Sequence, residues 1–259
     1  MNSSSFTPEI TDPHVKISIQ EQVLCLSLAR SKKRNAITVN MYRALESALR
    51  LADGTDLVRV VHLSGADGHF TGGNDLLDFL QNPPQDETSP VLAFLNTLAG
   101  FTKPLIACVS GHAVGIGTTL LLHCDYVAVT PSAQLKLPFV ELGLCPEAAA
   151  SLLLPRCIGY LRAAQMILVG ESVDGASAAH WGLASSCRED AYEHSIAIAQ
   201  IMASRPQASL LLSKQLLKQT PIDSVQQRLA TEAEHFTQRL KSPEAISAFQ
   251  AFLAKSHSR

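Results

Sequence analysis

The sequence has few aromatic residues and no excess of charge of either sign. Aromatics make up 5% of the 259 residues, and 21 lysines and arginines face 23 aspartates and glutamates, for a formal net charge of -2. Proteins that bind nucleic acids usually carry a basic excess with aromatic side chains that stack on bases. The strongest basic cluster here is the short Lys32-Lys33-Arg34. The composition therefore argues against DNA or RNA as a partner.

Long apolar runs are also missing. No stretch of about 18 apolar residues occurs, so the sequence predicts no membrane-spanning helix and no membrane partner. The opening MNSSSFTPEITDPH has two acids before the first lysine and no apolar core, unlike a secretory or transit peptide. The last residues, Ser256–Arg259, differ from the Ser-Lys-Leu peroxisomal signal. We therefore expect a cytoplasmic protein.

Several common catalytic motifs are absent. The nine histidines form no HExxH or other metal-ligand pair, and there is no GxSxG nucleophile motif. Gly115-Ile116-Gly117 follows a strand pattern, but the third glycine of a dinucleotide-binding loop is missing. The six cysteines form no CxxC pair and lie partly within apolar runs, which predicts free, reduced thiols. Metalloenzyme, serine hydrolase and dinucleotide-binding functions thus lack support.

Hydrophobic periodicity predicts an α/β core. The alternation over Val15–Ala29 indicates two strands joined by a short turn. Apolar residues at three- and four-residue steps predict a helix over Thr38–Asp53, with Thr38 as the N-cap and Gly54 as the stop. Helical patterns alternate with further predicted strands, which favours mainly parallel pairing. These strands are Val58–Ser64, Leu105–Val109 and Tyr126–Val129.

The second half of the sequence is dominated by helical patterns. From Glu147 onward no strand pattern is found, and apolar residues keep helical spacing to the end. We divide the chain into an α/β core over residues 1–200 and a C-terminal helical region over residues 201–259. Apolar helix faces in that region predict packing on a neighbouring subunit as well as on the core. The polar, proline-rich segment Gln81–Pro90 predicts a surface loop.

Two glycine-rich turns follow predicted strands. The first is Phe70–Leu76, FTGGNDL, and the second is Gly111–Gly117, GHAVGIG. Glycine lets the backbone turn sharply, and outward N–H groups beside the positive end of a following helix can bind an oxyanion. Either turn alone is also explained by the needs of a tight strand-to-helix connection. Side by side, the two turns form a candidate oxyanion site.

Together with Lys32–Ala36 upstream and Leu142–Glu147 downstream, these turns resemble the crotonase family, also called the enoyl-CoA hydratase/isomerase superfamily. The resemblance runs from about Val15 to Gly182 and includes the segment LVGESVDGASAAHWGL. It implies the crotonase fold, a repeated ββα superhelical core followed by a C-terminal helical region, and assembly into trimers or dimers of trimers. It also implies an acyl-CoA thioester substrate and no metal or redox cofactor, because coenzyme A is part of the substrate.

The resemblance also implies roles for single residues. Backbone N–H groups of Asn74 and Ile116 would bind the thioester carbonyl oxygen. Glu147, directly after Pro146, stands where the peroxisomal-type Δ3,Δ2-enoyl-CoA isomerases carry their catalytic glutamate. The other residues expected to bind substrate lie in the basic segment, in the two glycine turns and shortly before Glu147. They are Lys33, Arg34, Ala36, Gly72, Gly73, Asp75, Leu76, Gly115, Gly117 and Phe139.

Two positions depart from the hydratase pattern. Hydratases of this family use two glutamates, and this sequence has Thr119 and Phe139 in their places. Neither side chain can activate water or protonate C2 near neutral pH. We therefore predict an isomerase of fatty-acid degradation that moves a double bond from C3 to C2 of an enoyl-CoA. Two alternatives remain: a hydratase or lyase that uses Glu141 or Glu147, and a catalytically silent acyl-CoA-binding protein.

The candidate side chains also have structural explanations. Proline at the first helical position followed by Glu147 is ordinary helix-start chemistry, and Asp75 and Asp78 also suit the start of a helix. His112, in the second glycine turn, is typical of a hydrogen-bonded structural residue. Cys145 has no activating base in its sequence surroundings. We therefore expect Cys145 to line a pocket, and Glu141 is equally explained as a rim charge or an ion-pair partner.

Overall fold

The computed structural model describes residues 6–86, 88–218 and 222–257. The strands in chain order are β1 (Val15–Gln20), β2 (Val23–Leu28), β3 (Val60–Gly65), β4 (Leu105–Val109), β5 (His112–Val114), β6 (Tyr126–Val129), β7 (Gln134–Lys136), β8 (Val173–Asp174) and β9 (Ser186–Cys187). The helices are α1 (Val39–Asp53), α2 (Leu76–Gln81), α3 (Pro90–Gly100), α4 (Ile116–Thr119), α5 (Ala150–Ile158), α6 (Tyr160–Ala164), α7 (Gly175–Trp181), α8 (Ala191–Ala203), α9 (Gln207–Leu217), α10 (Ile222–Leu240) and α11 (Pro243–His257).

The strands form two sheets. The larger has six strands in the order β1-β2-β3-β4-β6-β9, and the smaller has three in the order β5-β7-β8. Strand β1 runs antiparallel to β2, which confirms the predicted hairpin, and the other neighbours in the larger sheet are parallel. Strands β4 and β6 have the predicted bounds, whereas β3 begins two residues later than predicted. The α/β prediction is therefore confirmed.

Helix α1 begins and ends where the sequence predicts. The side chain of Thr38 accepts a hydrogen bond from the Met41 N–H, and Gly54 follows the last helical residue. The apolar face of the helix is buried against α3, where the rings of Tyr42 and Phe94 lie 5.4 Å apart. This packing holds the mainly apolar face of α1, including Tyr42, near the first glycine turn.

Two short strands correct the prediction that strand structure ends at Glu147. Strand β8 pairs with β7, and β9 pairs with β6. Each spans only two residues, and an alternation of period two needs a longer run to be visible in a sequence. The remainder of the described C-terminal half is mainly helical, as predicted.

The C-terminal helices pack back on the core of their own chain. Leu229, Phe236 and Leu240 of α10 and Phe249 of α11 are buried in the main core cluster. Helix α10 contacts both α3 and α5. The ring of Phe236 meets Phe79 of α2 edge-on, with 6.0 Å between the ring centroids. Helix α10 therefore closes one side of the space between α2, α3 and α5.

The predicted loop and the cysteines follow the sequence analysis. Helix α2 ends at Gln81 and α3 begins at Pro90, so the segment between them is a connection with mainly exposed side chains. Glu87, within this loop, lies outside the described residues. Each of the six cysteines is a free thiol. Among the helices in the described ranges, none is long and apolar enough to cross a membrane.

Candidate active site

The two glycine turns lie side by side, after the carboxyl ends of β3 and β4. The Thr71 N–H donates to the His112 carbonyl at 2.9 Å, and the Val114 N–H donates to the Thr71 carbonyl at 3.1 Å. Gly73 has a φ of 91°, and a Cβ there would lie 2.8 Å from the Val114 carbonyl oxygen. Only glycine permits this approach without displacement of the second turn. The turns that carry Asn74 and Ile116 are thus joined by backbone contacts.

Neither predicted oxyanion donor is used inside the described part of the chain. The N–H groups of Asn74 and Ile116 donate to no acceptor there, whereas the neighbouring Asp75 N–H donates to the Ile37 carbonyl at 2.9 Å. Ile116 is the first residue of α4, and the first N–H groups of a helix have no partner within it. Two unused donors on adjoining turns are what a developing oxyanion requires.

The helices after the turns contribute less to the candidate oxyanion site than the sequence suggests. Helix α4 has only four residues and passes directly into a 3-10 turn. At the start of α2 the Asp75 carboxylate already accepts from the N–H groups of Leu77 and Asp78. His112, predicted within a turn, lies in strand β5. A helix does follow each turn, as predicted, but α4 is short and the first N–H groups of α2 are already capped, so the backbone N–H groups of Asn74 and Ile116 are the available donors.

Glu147 is buried beside the second turn. It is 5% exposed, and its Oε1 accepts from the Thr119 hydroxyl at 3.4 Å. The prediction that Glu147 belongs to the first turn of a helix is wrong, because Ala148 and Ala149 adopt left-handed φ values of 60° and 56° and α5 begins only at Ala150. A left-handed alanine costs about 1–2 kcal/mol. The chain thus keeps a strained bend that directs Glu147 inward instead of capping α5.

The surroundings of Glu147 favour its protonated form. The pKa of Glu147 is raised to about 8, mainly by desolvation and secondly by the charge of Glu232 on α10. The hydrogen bond from Thr119 acts in the opposite direction. The net result is a raised pKa, because the effect of burial is larger than that of the hydrogen bond. A carboxyl group with a pKa near 8 both takes up and releases a proton near neutral pH, as a base that returns its proton must.

Tyr42 is a site neighbour that the sequence analysis treated as an ordinary core residue. Its hydroxyl donates to Asn74 Oδ1 at 2.5 Å. Burial and the nearby Glu147 carboxylate raise the pKa of Tyr42 well above its ordinary value, so the phenol stays neutral. This bond occupies the Asn74 amide oxygen and holds the first turn in place. The phenol of Tyr42 on a mainly apolar helix face was the only signal for this contact in the sequence.

The basic segment lies beside the first turn. The Gly72 N–H donates to the Arg34 carbonyl at 2.8 Å, which joins the segment to the turn. Lys33 and Arg34 are exposed, and Ala36 is half-buried. Asn35 is fully buried, and its side chain bonds to carbonyls of the loop after β3. The structure thus presents basic side chains to solvent next to the glycine turns, where their role in binding coenzyme A stays a prediction.

Other residues predicted to bind substrate have structural contacts. Asp75 caps α2 and forms an ion pair with Arg30 at 2.7 Å. A Cβ on Gly117 would lie 2.5 Å from Thr71 Cγ2, so this glycine permits the turns to pack together. Phe139 is buried in the core, and Leu76 is partly buried against it. Gly115 differs, because a Cβ there would meet nothing within 4 Å. Of this group, Gly115 alone borders open space.

The weaker candidates are held by other contacts. Glu141 forms an ion pair with Lys136 at 2.9 Å, with both side chains well exposed. The ring of His112 stacks on His69 with 5.2 Å between centroids. Burial raises the pKa of the Cys145 thiol to about 11, so it is protonated near neutral pH. These contacts agree with the structural explanations of Glu141, His112 and Cys145.

A narrow apolar cleft leads away from Glu147. Its unfilled volume is about 10 Å³, roughly the space for one water molecule. Glu147 is the one ionisable group of the described lining, and helices α2, α3 and α10 supply most of the remainder. An acyl chain can enter only if some of these side chains move. The lining comprises Phe79, Pro84, Val91, Leu92, Leu95, Glu147, Leu229, Ala233, Phe236 and Thr237.

Comparison with known proteins defines the class of protein. A sequence profile described as "Enoyl-CoA hydratase/isomerase" matches residues 18–259. The chain belongs to the enoyl-CoA hydratase/isomerase family, whose members act on acyl-CoA thioesters. The family assignment and the similarity to solved structures confirm the predicted crotonase fold, with its C-terminal helices.

Similar proteins have different activities in their names. Rat "Enoyl-CoA delta isomerase 2" is 31% identical over 89% of this chain, which spans only 61% of the rat protein. "2,3-dehydroadipyl-CoA hydratase" of Escherichia coli is 32% identical over 92% of this chain and 95% of its own length. The structure of Pseudomonas aeruginosa OdaA is 44% identical, with a TM-score of 0.90 over 93% of this chain and 99% of OdaA. These comparisons establish the family. They do not distinguish an isomerase from a hydratase, so that distinction must be argued from the residues of the site.

Proposed function

We propose that this protein is a Δ3,Δ2-enoyl-CoA isomerase of fatty-acid degradation. The observation that carries the proposal is the single carboxyl group of the cleft, Glu147, buried close to two glycine turns with unused N–H donors. Thr119, at a position where hydratases have a glutamate, donates a hydrogen bond to Glu147 and offers no second carboxylate. One base without a second acid suits the movement of a proton better than the addition of water.

The reaction follows from this arrangement. The thioester carbonyl oxygen binds the N–H groups of Asn74 and Ile116. Glu147 removes a proton from C2, and the electron pair delocalises into the thioester as a dienolate, whose charge the two N–H groups stabilise. The same carboxyl group returns the proton at C4, and the double bond then lies between C2 and C3. The proton only changes place, so no metal or redox cofactor is consumed.

The cleft favours an uncharged aliphatic acyl group. Its described lining contains leucine, valine and phenylalanine side chains, and no cation that could pair with a second carboxylate. A dicarboxylic acyl group would place its charge in this apolar space, near Glu147, at a large desolvation cost. The acyl group that we propose for this chain thus differs from the dehydroadipyl group in the name of the E. coli relative.

Purified protein with synthetic enoyl-CoA thioesters tests the proposal. We expect 3-enoyl-CoA to be converted to the conjugated 2-enoyl-CoA, seen as a rise in ultraviolet absorbance. A 2-enoyl-CoA offered alone should persist, because the described lining of the cleft has no second acid to help add water. Rapid loss of its absorbance would instead identify a hydratase. Tight binding of both thioesters without turnover of either would identify a silent acyl-CoA-binding protein.

We also propose that the chain assembles as a trimer or a dimer of trimers. Large apolar side chains are exposed on α6 and in the segment that follows it, with Leu161 81% and Val169 71% exposed. Contiguous exposed apolar surface marks sites of protein association. Tyr160 and Leu168 are also largely exposed. A partner subunit would remove these side chains from water.

Leu161→Glu is expected to dissociate the assembly, because it places a charge in the apolar contact. Sedimentation velocity should give the wild-type protein three or six times the 27.8 kDa of one chain, and the variant a smaller mass. Leu57→Glu, a similar change at an exposed leucine before β3, is the control and should leave the mass unchanged. A monomeric wild-type protein would show that this surface has another purpose.

A further inference from the structure

We propose that Glu232 of α10 is a positioning residue for Glu147, and that the two buried carboxyl groups work as one pair in which Glu232 makes Glu147 the stronger base. The effect on turnover rests on the proposed isomerase function. The pair itself rests on the contacts of α10 alone. Sequence reasoning gave Glu232 no role.

Glu232 is a buried acid, and only one of its two carboxylate oxygens has hydrogen-bond partners in the described chain. It is 6% exposed, and its Oε1 accepts from the backbone N–H of Ser151 at 2.9 Å and from the Ser151 hydroxyl at 2.5 Å. Its Oε2 is buried without a hydrogen-bond partner in the described chain. An unpaired buried carboxylate oxygen is destabilising. The bonds from Ser151 tie Glu232 to the start of α5, but they leave its second carboxylate oxygen without a partner in the described chain.

The contacts of Glu232 fall on both sides of Glu147 along the chain. Ser151 follows Glu147 by four residues, and Cys145 precedes it by two. The Cys145 thiol lies 3.9 Å from the Glu232 carbonyl oxygen. Leu229 and Ala233, neighbours of Glu232 on α10, line the same cleft as Glu147. Helix α10 thus holds the strained segment that carries the base.

Few of the titratable groups around the two acids change their protonation near neutral pH. Burial lowers the pKa of His123, which bonds to the Ala148 carbonyl, to about 4, and raises that of Cys145 to about 11. Tyr42 on α1 is also neutral, because its pKa is raised. Arg239 of α10 donates to the Gly143 carbonyl, near the base. The positive charge of Arg228 on α10 lowers the pKa of Glu232.

The two acids receive unequal support. Burial raises the pKa of Glu232, while the bonds from Ser151 and the charge of Arg228 lower it. Within the described residues, the Glu147 carboxylate accepts only the long bond from Thr119, and both burial and Glu232 raise its pKa. A single proton on the pair therefore belongs on Glu147 and the negative charge on Glu232. Ionisation of Glu147 beside that charge yields a base of higher proton affinity.

Glu232→Gln tests the pair because it removes the charge and keeps the acceptor for Ser151. The ligand-free protein is titrated by infrared spectroscopy, and the carboxyl band of Glu147 is identified by its loss in Glu147→Gln. We expect this band to titrate near pH 8 in the wild type. It should titrate at least about one pH unit lower in Glu232→Gln. Glu234→Gln, an exposed acid on the same helix, should leave the titration unchanged.

Kinetics supply a second readout. The ionised base is the active form, so the wild-type kcat/KM should rise with pH through about 8. In Glu232→Gln the rise of kcat/KM should occur at lower pH, in step with the titration of the Glu147 carboxyl band. The value of kcat at high pH should fall about threefold to tenfold, because the base is weaker. Glu232→Asp, which retains a charge, should restore the wild-type pH dependence in part. KM should change little in either variant.

The outcomes separate this proposal from the proposed function. An unchanged band and an unchanged pH dependence of kcat/KM in a folded Glu232→Gln variant would overturn the pair. If that variant does not fold, Glu232→Met removes the charge at similar volume and carries the same test. A shifted band in a protein that does not isomerise any 3-enoyl-CoA would support the pair and reject the isomerase.

Discussion

Replacement of Glu147 by glutamine is expected to lower isomerase turnover by about 10² or more, the usual scale for loss of a general base. The amide cannot take the C2 proton, but it has the shape of the carboxyl group and can still accept from the Thr119 hydroxyl. We therefore expect fold and affinity for coenzyme A thioesters to be retained. The measurement is kcat with 3-enoyl-CoA at pH 8 to 9, where the wild-type carboxyl group is ionised.

Glu141→Gln is the matched control for this variant. Glu141 is an acid six residues earlier that forms an exposed ion pair with Lys136 and does not line the cleft. Exposed ion pairs contribute little, so this variant should turn over at the wild-type rate. Equal losses in both variants, or a near-wild-type rate in Glu147→Gln, would contradict the assignment of the base.

The same substitution has a signature in stability. The folded-state pKa of Glu147 lies near 8, above the ordinary value of 4.5, so the folded protein holds a proton that the unfolded chain releases. The stabilisation from that proton is complete below about pH 4.5 and is lost as the pH rises through 8. Denaturant unfolding should show this decline in the wild type and a smaller decline in Glu147→Gln.

Features fixed by neighbouring residues could be predicted from the sequence. The hairpin, α1 with its Thr38 cap, strands β4 and β6, and the cap of α2 all follow from local patterns and local side-chain bonds. The two glycine turns are also local. Their meeting is not, since it depends on pairing between Thr71 and Ala113 across more than forty residues. Resemblance to a known family supplied that part.

The remaining site features depend on contacts that no local pattern contains. Proline followed by an acid normally starts a helix, but the left-handed Ala148 and Ala149 place Glu147 in a bend instead. Alanine rarely adopts that conformation, so the sequence predicts the opposite. Glu232 is one acid among the polar residues of an amphipathic helix, and only its docking beside Ser151 marks it out.

The oxyanion site gives the other large expected effect. Ile116→Pro removes one N–H donor, and a single donor is typically worth about 3 kcal/mol, so kcat should fall by about 10² to 10³. Ile116 is the first residue of α4, a position that tolerates proline because its N–H has no partner within the helix. Stopped assays with 3-enoyl-CoA, together with circular dichroism and binding of an acyl-CoA, provide the measurement.

Two further variants separate the donor from the side chain. The side chain of Ile116 is buried, so Ile116→Ala loses packing but keeps the N–H, and its folded fraction should turn over at a rate much nearer the wild type. Gly115 has a φ of 56° and open space beyond it. Gly115→Val should therefore strain the turn as well as crowd the thioester, raising KM and lowering kcat although neither N–H group is deleted. If Ile116→Pro folds, binds acyl-CoA and turns over at the wild-type rate, the carbonyl oxygen is held elsewhere, and the dienolate mechanism loses its stabilising donors.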